Sequence, residues 1–427
     1  MLEKEGRQKK MADMPGAKRL ILHCDCNNFF ASCECLERPE LKHVPLAVAG
    51  DPERRTGVVF AKNELAKKAG VKTTDTVWQA KKKCPGIVFV PPRHHYYAEI
   101  SRKVNAIYLE YTDHVEPASI DESFLDLSGT TSFYGLSPRE LADEIRCRVK
   151  NEIGITISAG VSFNKIFAKL GSEYKKPDAT TVITPDNFRE ILWPLPVEDM
   201  LFVGKSASSL LHARGVHTIG HLAQVSPALL QEWLGKGGEQ LWLHANGLDK
   251  EPVRLFGERP EIKSVSRGQT FSHDLTTREE MIAGLSPLVD EVAASLRKHH
   301  MKGTVVQLQL KSPSLHVISR QVTLPHYTFL YREIMDTALQ ILSVHWQEGP
   351  PIRALTVGVT HLLPAGEAPE QMTLLDDGAF SRMRRERLEK LENAIDSIRK
   401  KHGSSAISFG LSALPGDENE SADEQNP

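Results

Sequence analysis

The spacing of apolar positions changes period several times along the chain. RLILHCDC (19–26) is almost continuously apolar and predicts a buried strand, after which NNFFASCECLE (27–37) takes a helical spacing. VPLAVAG (44–50) predicts a strand stopped at GDPERRTG, with GVVFA (57–61) returning beside it. Residues 62–84 read as two short helices parted at GVKTTD (70–75), and residues 96–111 as a longer helix. In PASIDESFLDLSG (117–129), Ile120, Phe124, Leu125 and Leu127 mark a strand or pair of strands bound for a core. Ser137-Pro138-Arg139-Glu140 is a capping box with proline at the first helical position, opening an amphipathic helix through Leu141, Ile145 and Val149. ITISAGVSF (155–163) predicts a strand and NKIFAKLGSEYKK (164–176) a helix. Strands and helices alternate irregularly, which favours a mixed α+β layer fold over a doubly wound one.

From about 185 to 250 the pattern turns to short helices punctuated by glycine. Gly204, Gly215 and Gly220 fall between apolar helical faces in residues 199–224, the pattern of tandem helix–hairpin–helix turns whose exposed amides can meet a DNA phosphate. Residues 251–262, with two prolines and mixed charge, read as a linker. Beyond it, VVQLQLK, LHVISRQV and ALTVGVTHL alternate with helices at 277–300 and 328–344, and Lys311 and Arg320 are expected on open sheet faces, either solvated or serving a nucleic acid. Residues 367–427 form a polar tail with one helix at 381–402.

A chain of 427 residues exceeds one ordinary core, so two to four domains are expected. No apolar run is long enough to span a bilayer, and the polar start lacks a signal segment, so the expected compartment is the cytoplasm. Cys24, Cys26, Cys33 and Cys35 lie close to His23, but the alternation places Cys24 and Cys26 on one strand face with Leu20 and Leu22, which suits buried thiols better than zinc or a disulfide. Charge is unevenly laid out: the net −2 includes five acids and no base in the last twelve residues, whereas residues 62–83 carry seven lysines and two acids.

The candidate chemistry lies in three acids. Asp25 closes the first strand, and Asp121 and Glu122 are adjacent within the second. Adjacent strand residues point to opposite faces, so these two converge only if the backbone bends. Gathered acids repel, and their pKa values rise until a proton or a cation arrives. A hard divalent ion such as Mg²⁺ takes carboxylate and carbonyl oxygens and completes its shell with water and phosphate. Two such ions roughly 4 Å apart serve both oxygens of an in-line displacement. Taken singly, each acid also fits a structural role, as turn residue or helix cap. Phe29 and Phe30 one helical turn on, with Lys67 and Lys165 in glycine-flanked lysine-bearing helices, favour a nucleoside triphosphate over a sugar or peptide.

HCDCNNFFASCE, AKNELAKKAGV, SIDESFLDLSG, SAGVSFNKIFAKLGSEYKKPD and FVGKSASSLLHARGVHTIGHLA, in this order and spacing, resemble the Y-family translesion DNA polymerases, most of all their bacterial DNA polymerase IV branch. The resemblance implies a right-hand α+β multidomain fold. A disordered N-terminus (1–18) would precede a palm (19–30 and 90–185), small fingers (31–89), a helix–hairpin–helix thumb (186–250), a linker (251–262), an α+β little finger (263–366) and a C-terminal tail. It implies that Asp25, Asp121 and Glu122, with the backbone carbonyl of Cys26, hold two Mg²⁺ ions. Phe30 would be the ring that rejects a ribose 2′-hydroxyl, Phe29 its buried neighbour, and Asn28, Lys67 and Lys165 nucleotide contacts. It further implies error-prone, weakly processive synthesis past damage without a proofreading exonuclease, by a monomer that uses primed template DNA and deoxynucleoside triphosphates and has no membrane partner. Gln371-Met372-Thr373-Leu374-Leu375 resembles the peptide by which bacterial polymerases dock on the sliding clamp, with Gln371, Met372, Leu374 and Leu375 as contacts.

The sequence departs from that pattern near the nucleotide. Many relatives carry Asn-Tyr-x-Ala-Arg where this chain has Asn63-Glu64-Leu65-Ala66-Lys67, and Asn28 replaces a frequent aromatic or cysteine. Lysine offers a point charge where arginine offers a fork, and Glu64 brings a negative charge toward a polyanion. Leu375 stands where the docking peptide often ends in Phe. Two rivals remain in view. A palm-type cyclase has no use for the thumb, basic fingers or docking peptide, and a non-enzymatic DNA binder gains nothing from keeping three acids.

Overall fold

The computed structural model describes residues 19–51, 57–258, 260–369, 378–403 and 406–407, so the polar N-terminus and the Gln371–Leu375 peptide fall outside the described residues. Two compact units meet in sequence at residues 259 and 260.

The first unit is organised around β1 (Ile21–Cys26), all six residues of which are buried. Helix α1 (Phe29–Glu37) follows directly. A three-stranded layer comes next, from β2 (Leu46–Ala49), β3 (Val59–Lys62) and β4 (Val88–Val90), with α2 (Glu64–Lys68) and α3 (Val77–Lys83) between β3 and β4. Helix α4 (His94–Leu109) leads into a hairpin of β5 (Val115–Pro117) and β6 (Glu122–Asp126). Then come α5 (Pro138–Arg148), β7 (Ile157–Ser162), α6 (Lys165–Tyr174) and β8 (Thr180–Val182). The five-stranded sheet has the order β5-β6-β1-β7-β8, with β1 antiparallel to both neighbours.

Alternation along β1 divides the unit. Leu22, Cys24 and Cys26 join the core built by α1, α4 and α5, while Ile21 packs with Phe124 and Ala168 on the opposite face, under α6. Five of the six cysteines are buried and all six are free thiols. Leu46 and Val48 of β2 enter the same large core, and Ala47 and Ala49 face a smaller one with Val59, Ala66 and Val77, so the small layer is anchored through both faces of one strand. Strands β4 and β8 were not legible as periodic segments, because three residues are too short to show a period.

Helix α6 can lie close to the sheet because two glycines face each other. A Cβ on Gly160 of β7 would fall 1.8 Å from the Ala168 carbonyl oxygen, and one on Gly171 would fall 3.1 Å from the Gly160 Cα. This approach carries the polar residues of α6 to the end of β1.

The first unit continues with short helices α7 (Phe188–Leu192), α8 (Lys205–Ala213), α9 (Ile219–Gln224), α10 (Pro227–Leu234) and α11 (Lys236–Ala245). Gly215 turns between α8 and α9 at φ +79°, as expected for a hairpin. Gly220 instead lies inside α9, where a Cβ would meet Trp193 at 2.9 Å; it permits packing rather than a turn. The stretch expected to be a free linker begins as part of this unit: Val253 is buried beside Ile21 and Phe124, and the Arg19 guanidinium donates to the Glu251 carbonyl at 2.7 Å.

The second unit is a four-stranded antiparallel sheet, β9 (Ser264–Leu275), β10 (Met301–Lys311), β11 (Val317–Thr328) and β12 (Ile352–Pro364), in the order β11-β10-β12-β9, carrying α12 (Arg278–Lys298) and α13 (Tyr331–His345). Strand β9 escaped the sequence reading because SVSRGQTFSHDL buries only Val265, Phe271 and Leu275. Lys311 pairs with Val317 and Ala354 beside the row of Gln309, Ser319 and Thr356, on the polar face; Arg320 is opposite Leu308 and therefore on the helix-covered side, at the edge strand. The two cations expected on open faces thus lie on opposite faces. The C-terminal helix α14 (Gly378–His402) is no free tail: Arg297 is bonded to Glu392 and Asp396, Lys302 to Glu389 at 2.7 Å, and Arg399 to Asp290 at 2.7 Å.

Candidate active site

Register places the acids. Asp25 is opposite Glu122 on β6 and Ser158 on β7, so Asp25 and Glu122 emerge side by side on the face covered by α6. Glu173, one residue before the end of α6, joins them, and ligand oxygens of the three lie within 4.8 Å of one another. Lysines neutralise the pair: Lys176 Nζ is 2.6 Å from Asp25 Oδ2, and Lys169 Nζ is 2.7 Å from Glu122 Oε2.

The two carboxylates are held in opposite protonation regimes. Burial, opposed by Lys176 and helped by Glu122, pushes Asp25 up to about 7. Glu122 is held below its ordinary value by His23 and, against its own burial, by Lys169. Of these two, Lys169 is the full charge. His23 approaches no nearer than 3.7 Å and is pushed toward its neutral form, above all by burial, while its Nδ1 shares a hydrogen with Ser172 Oγ at 2.8 Å.

Asp121 is not brought into this group. It lies opposite Cys26, whose N–H donates to the Asp121 carbonyl at 3.0 Å, and its carboxylate accepts from the Ser119 hydroxyl at 2.6 Å. Asp121 sits in the bend just before β6 begins at Glu122, and this bend does not carry its carboxylate into the Asp25–Glu122–Glu173 group. From there Asp121 adds to the burial that raises the Cys26 thiol.

On the α1 side, Phe29 is buried and Phe30 is half-buried, stacked on Tyr97 with centroids 4.3 Å apart and planes 17° from parallel. Tyr97 is itself fixed, donating to Glu34 Oε1 at 2.7 Å, and Glu34 is clamped by Arg93 at 2.9 Å and by Arg38. Although burial would raise it, Arg93, Tyr97 and Arg38 together hold Glu34 below the usual carboxylate value. The half-buried ring of Phe30 therefore has a rigid base, made of residues that no sequence spacing linked.

Lys165 is a correction. It is 5% exposed, and its ammonium contacts both Glu116 oxygens at 2.8 and 2.9 Å and Glu251 at 3.0 Å, with the Phe124 ring 5.1 Å away. The first residue of α6 reaches the edge strand β5 on this same face, where Glu116 holds it and it fastens residues 251–254 together with Arg254, and its ammonium is taken up there rather than at the acids. The lysines that do reach them, Lys169 and Lys176, were missed, although Lys169 follows Lys165 at i+4. Lys67 is on α2, exposed, 3.7 Å from Glu64, and Asn28 donates to the same glutamate at 3.0 Å.

Comparison with known proteins agrees with this architecture. Residues 24–173 match the impB/mucB/samB family, residues 262–374 the C-terminal domain of that family, and residues 200–249 a thumb domain described for DNA polymerase-iota. The chain is 43% identical over 394 residues to DNA polymerase IV of Acetivibrio thermocellus, spanning 92% of this chain and 97% of that protein. It is 35% identical over 400 residues to DNA polymerase IV 1 of Bacillus subtilis, spanning 93% and 94%. A solved Y-family DNA polymerase chimera superposes with a TM-score of 0.70 at 24% identity, covering 81% of this chain and 99% of that one, and so shares the fold.

The opposite pKa displacements set opposite stability effects. Asp25 is raised, so its ionised form costs stability above pH 7, and the cost vanishes below its ordinary value of 3.8. Glu122 is depressed, so its contribution is present above its ordinary value of 4.5 and is lost as pH falls. Asp25→Asn is therefore expected to stabilise the fold by about 2 to 4 kcal/mol at alkaline pH and by little in acid, whereas Glu122→Gln destabilises at alkaline pH. Denaturant titration at both pH values checks the two signs.

Proposed function

Since the chain belongs to the Y family of DNA polymerases, in the DNA polymerase IV group, and is a DNA-directed DNA polymerase, we propose that it copies primed template past damaged bases in short, error-prone bouts without proofreading, using two Mg²⁺ ions at the Asp25–Glu122 site. The observation that carries the chemistry is the facing Asp25–Glu122 pair at the end of β1, Asp25 buried and Glu122 half-buried, balanced by two lysines.

Family membership makes the enzyme metal-dependent, and the donor set fits hard cations: clustered carboxylate oxygens beside backbone carbonyls, with neutral His23 turned to Ser172. Asp25, Glu122, Asp121 and the Cys26 carbonyl would be the ligands. Bound there, divalent cations would lower the pKa of a primer 3′-hydroxyl and offset the charge that builds on the phosphates. Among the described residues the Asp121 carboxylate is paired with the Ser119 hydroxyl and with no cation, so turning it inward breaks no ion pair there.

The protein's own groups do the rest. Lys176 and Lys169 stand in for cations on the acids, and once the carboxylates are taken their ammonium groups are free to meet the triphosphate. Lys176, with 29% of its side chain exposed, takes the role that the sequence had given to Lys165. Phe30, braced by Tyr97, would exclude a 2′-hydroxyl by contact. Lys67 supplies a further cation from the small layer.

In this reading the five-stranded sheet is the palm, the three-stranded layer the fingers, helices α7–α11 the thumb, and the second unit a little finger. The polar sheet face of that last unit, with Gln307, Gln309, Lys311 and Thr356, is suited to hydrogen-bonding a DNA backbone. The Gln371–Leu375 peptide would dock on a sliding clamp. The enzyme would act as a cytoplasmic monomer; among the described residues, no helix is long and apolar enough to cross a membrane.

Primer extension on intact and lesion-bearing templates tests the reading. Asp25→Asn and Glu122→Gln should each cut extension by about a thousandfold, while Phe30→Ala should raise ribonucleotide incorporation by about a hundredfold. Extension at the parent rate by either acid variant would reject the site, and unchanged sugar discrimination would place the gate elsewhere. Replacing Gln371 and Leu374 with Ala should remove stimulation by added clamp and spare basal synthesis; loss of basal synthesis would make the peptide structural.

A further inference from the structure

Three residues near the nucleotide end of the sheet share one oxygen atom. Glu64 Oε1 accepts a hydrogen bond from Asn28 Nδ2 at 3.0 Å and lies 3.7 Å from Lys67 Nζ. The contact joins two layers, because Asn28 belongs to the turn between β1 and α1, whereas Glu64 and Lys67 belong to α2. Asn28 and Glu64 both line a cavity of about 380 Å³, together with Ser32, Lys42, Asn63 and Lys150. Asn28 comes three residues after Asp25 and immediately before Phe29 and Phe30.

The arrangement is built rather than incidental. Asn28 holds φ +50°, a left-handed conformation that asparagine tolerates better than most residues, and this aims its amide. Asn63 fixes the backbone of α2: its Oδ1 accepts from Ala66 N at 3.0 Å and Leu46 N at 3.1 Å, and its Nδ2 donates to the Val44 carbonyl at 2.7 Å. The basic stretch from 62 to 83 contains only two acids, Glu64 and Asp75. Asp75 is consumed structurally, by Lys83 at 2.6 Å and by the Lys72 N–H. Glu64 is held instead by Asn28 and lies against Lys67. Its carboxylate therefore sits against a lysine that the polymerase reading assigns to the nucleotide.

We propose that Glu64 is a positioning residue that competes with the incoming nucleotide for Lys67. Asn28 holds the carboxylate, the carboxylate holds the ammonium, and the triphosphate must displace Glu64 to gain Lys67. Nucleotide affinity is then set by exchange of one anion for another rather than by capture at a free cation. This inference rests on the polymerase reading.

Glu64→Gln is the discriminating change, because a glutamine oxygen still accepts from Asn28 while the ion pair to Lys67 is lost. Steady-state incorporation of each deoxynucleoside triphosphate by the full chain on primed template gives the readout. The KM for nucleotide should fall about five-fold, the effect of one exposed ion pair, with kcat moving less than two-fold. In a Lys67→Gln background the same substitution should change KM less than two-fold. An unchanged or raised KM for Glu64→Gln would overturn the inference. An equal five-fold fall in the Lys67→Gln background would also overturn it, by showing simple repulsion of nucleotide by Glu64. These results refute the competition alone, provided the unsubstituted chain extends primers; absence of extension by that chain would overturn the polymerase reading and the inference with it.

Discussion

The structure depends on one costly arrangement: two carboxylates, Asp25 and Glu122, opposite each other in register at the end of a strand whose every residue is buried. Buried like charges are tolerated only with compensation, and the compensation comes from a single helix and the residues just past it. Helix α6 can deliver Lys169, Glu173 and Lys176 because Gly160 and Gly171 let it approach the sheet as no larger residues would. The site is therefore a property of helix–sheet packing as much as of the acids themselves.

A common logic runs through the polar groups around it. Three anions near the site are provisionally paired: Asp25 with Lys176, Glu122 with Lys169, Glu64 with Lys67 and Asn28. The groups that must stay still are paired permanently and buried. Glu34 under the Phe30–Tyr97 stack is one case, and Lys165 with Glu116 is another. Lys165 and Glu116 are both buried, whereas each of the provisional pairs keeps a partly exposed lysine, through which water and phosphate can compete.

Much of this was legible in the sequence, for physical reasons that differ from residue to residue. The continuous apolar run around Asp25 announced a central strand, and the capping box at Ser137 announced α5, because both signals are local. The meeting of Asp25 with Glu122 required register, which one strand's periodicity does not contain, and the place of Asp121, in the bend before β6 and outside that group, depends on the hairpin tip. Lys165 was chosen over Lys169 and Lys176 because which side of a helix faces the acids depends on the Gly160 contact, a tertiary fact. Strand β9 was hidden by its polar exposed positions, and the pairing of α14 with α12 by a separation of about a hundred residues between Arg297 and its acids.

The most direct test of the central claim is to count divalent ions at the carboxylate pair. Electron paramagnetic resonance titration of Mn²⁺ into the full chain, bound to primed template and a non-hydrolysable deoxynucleoside triphosphate, should show two bound ions per chain, with that binding lost in Asp25→Asn. Equal binding by the parent and by Asp25→Asn would contradict the account, because the cations would then belong to some other set of oxygens.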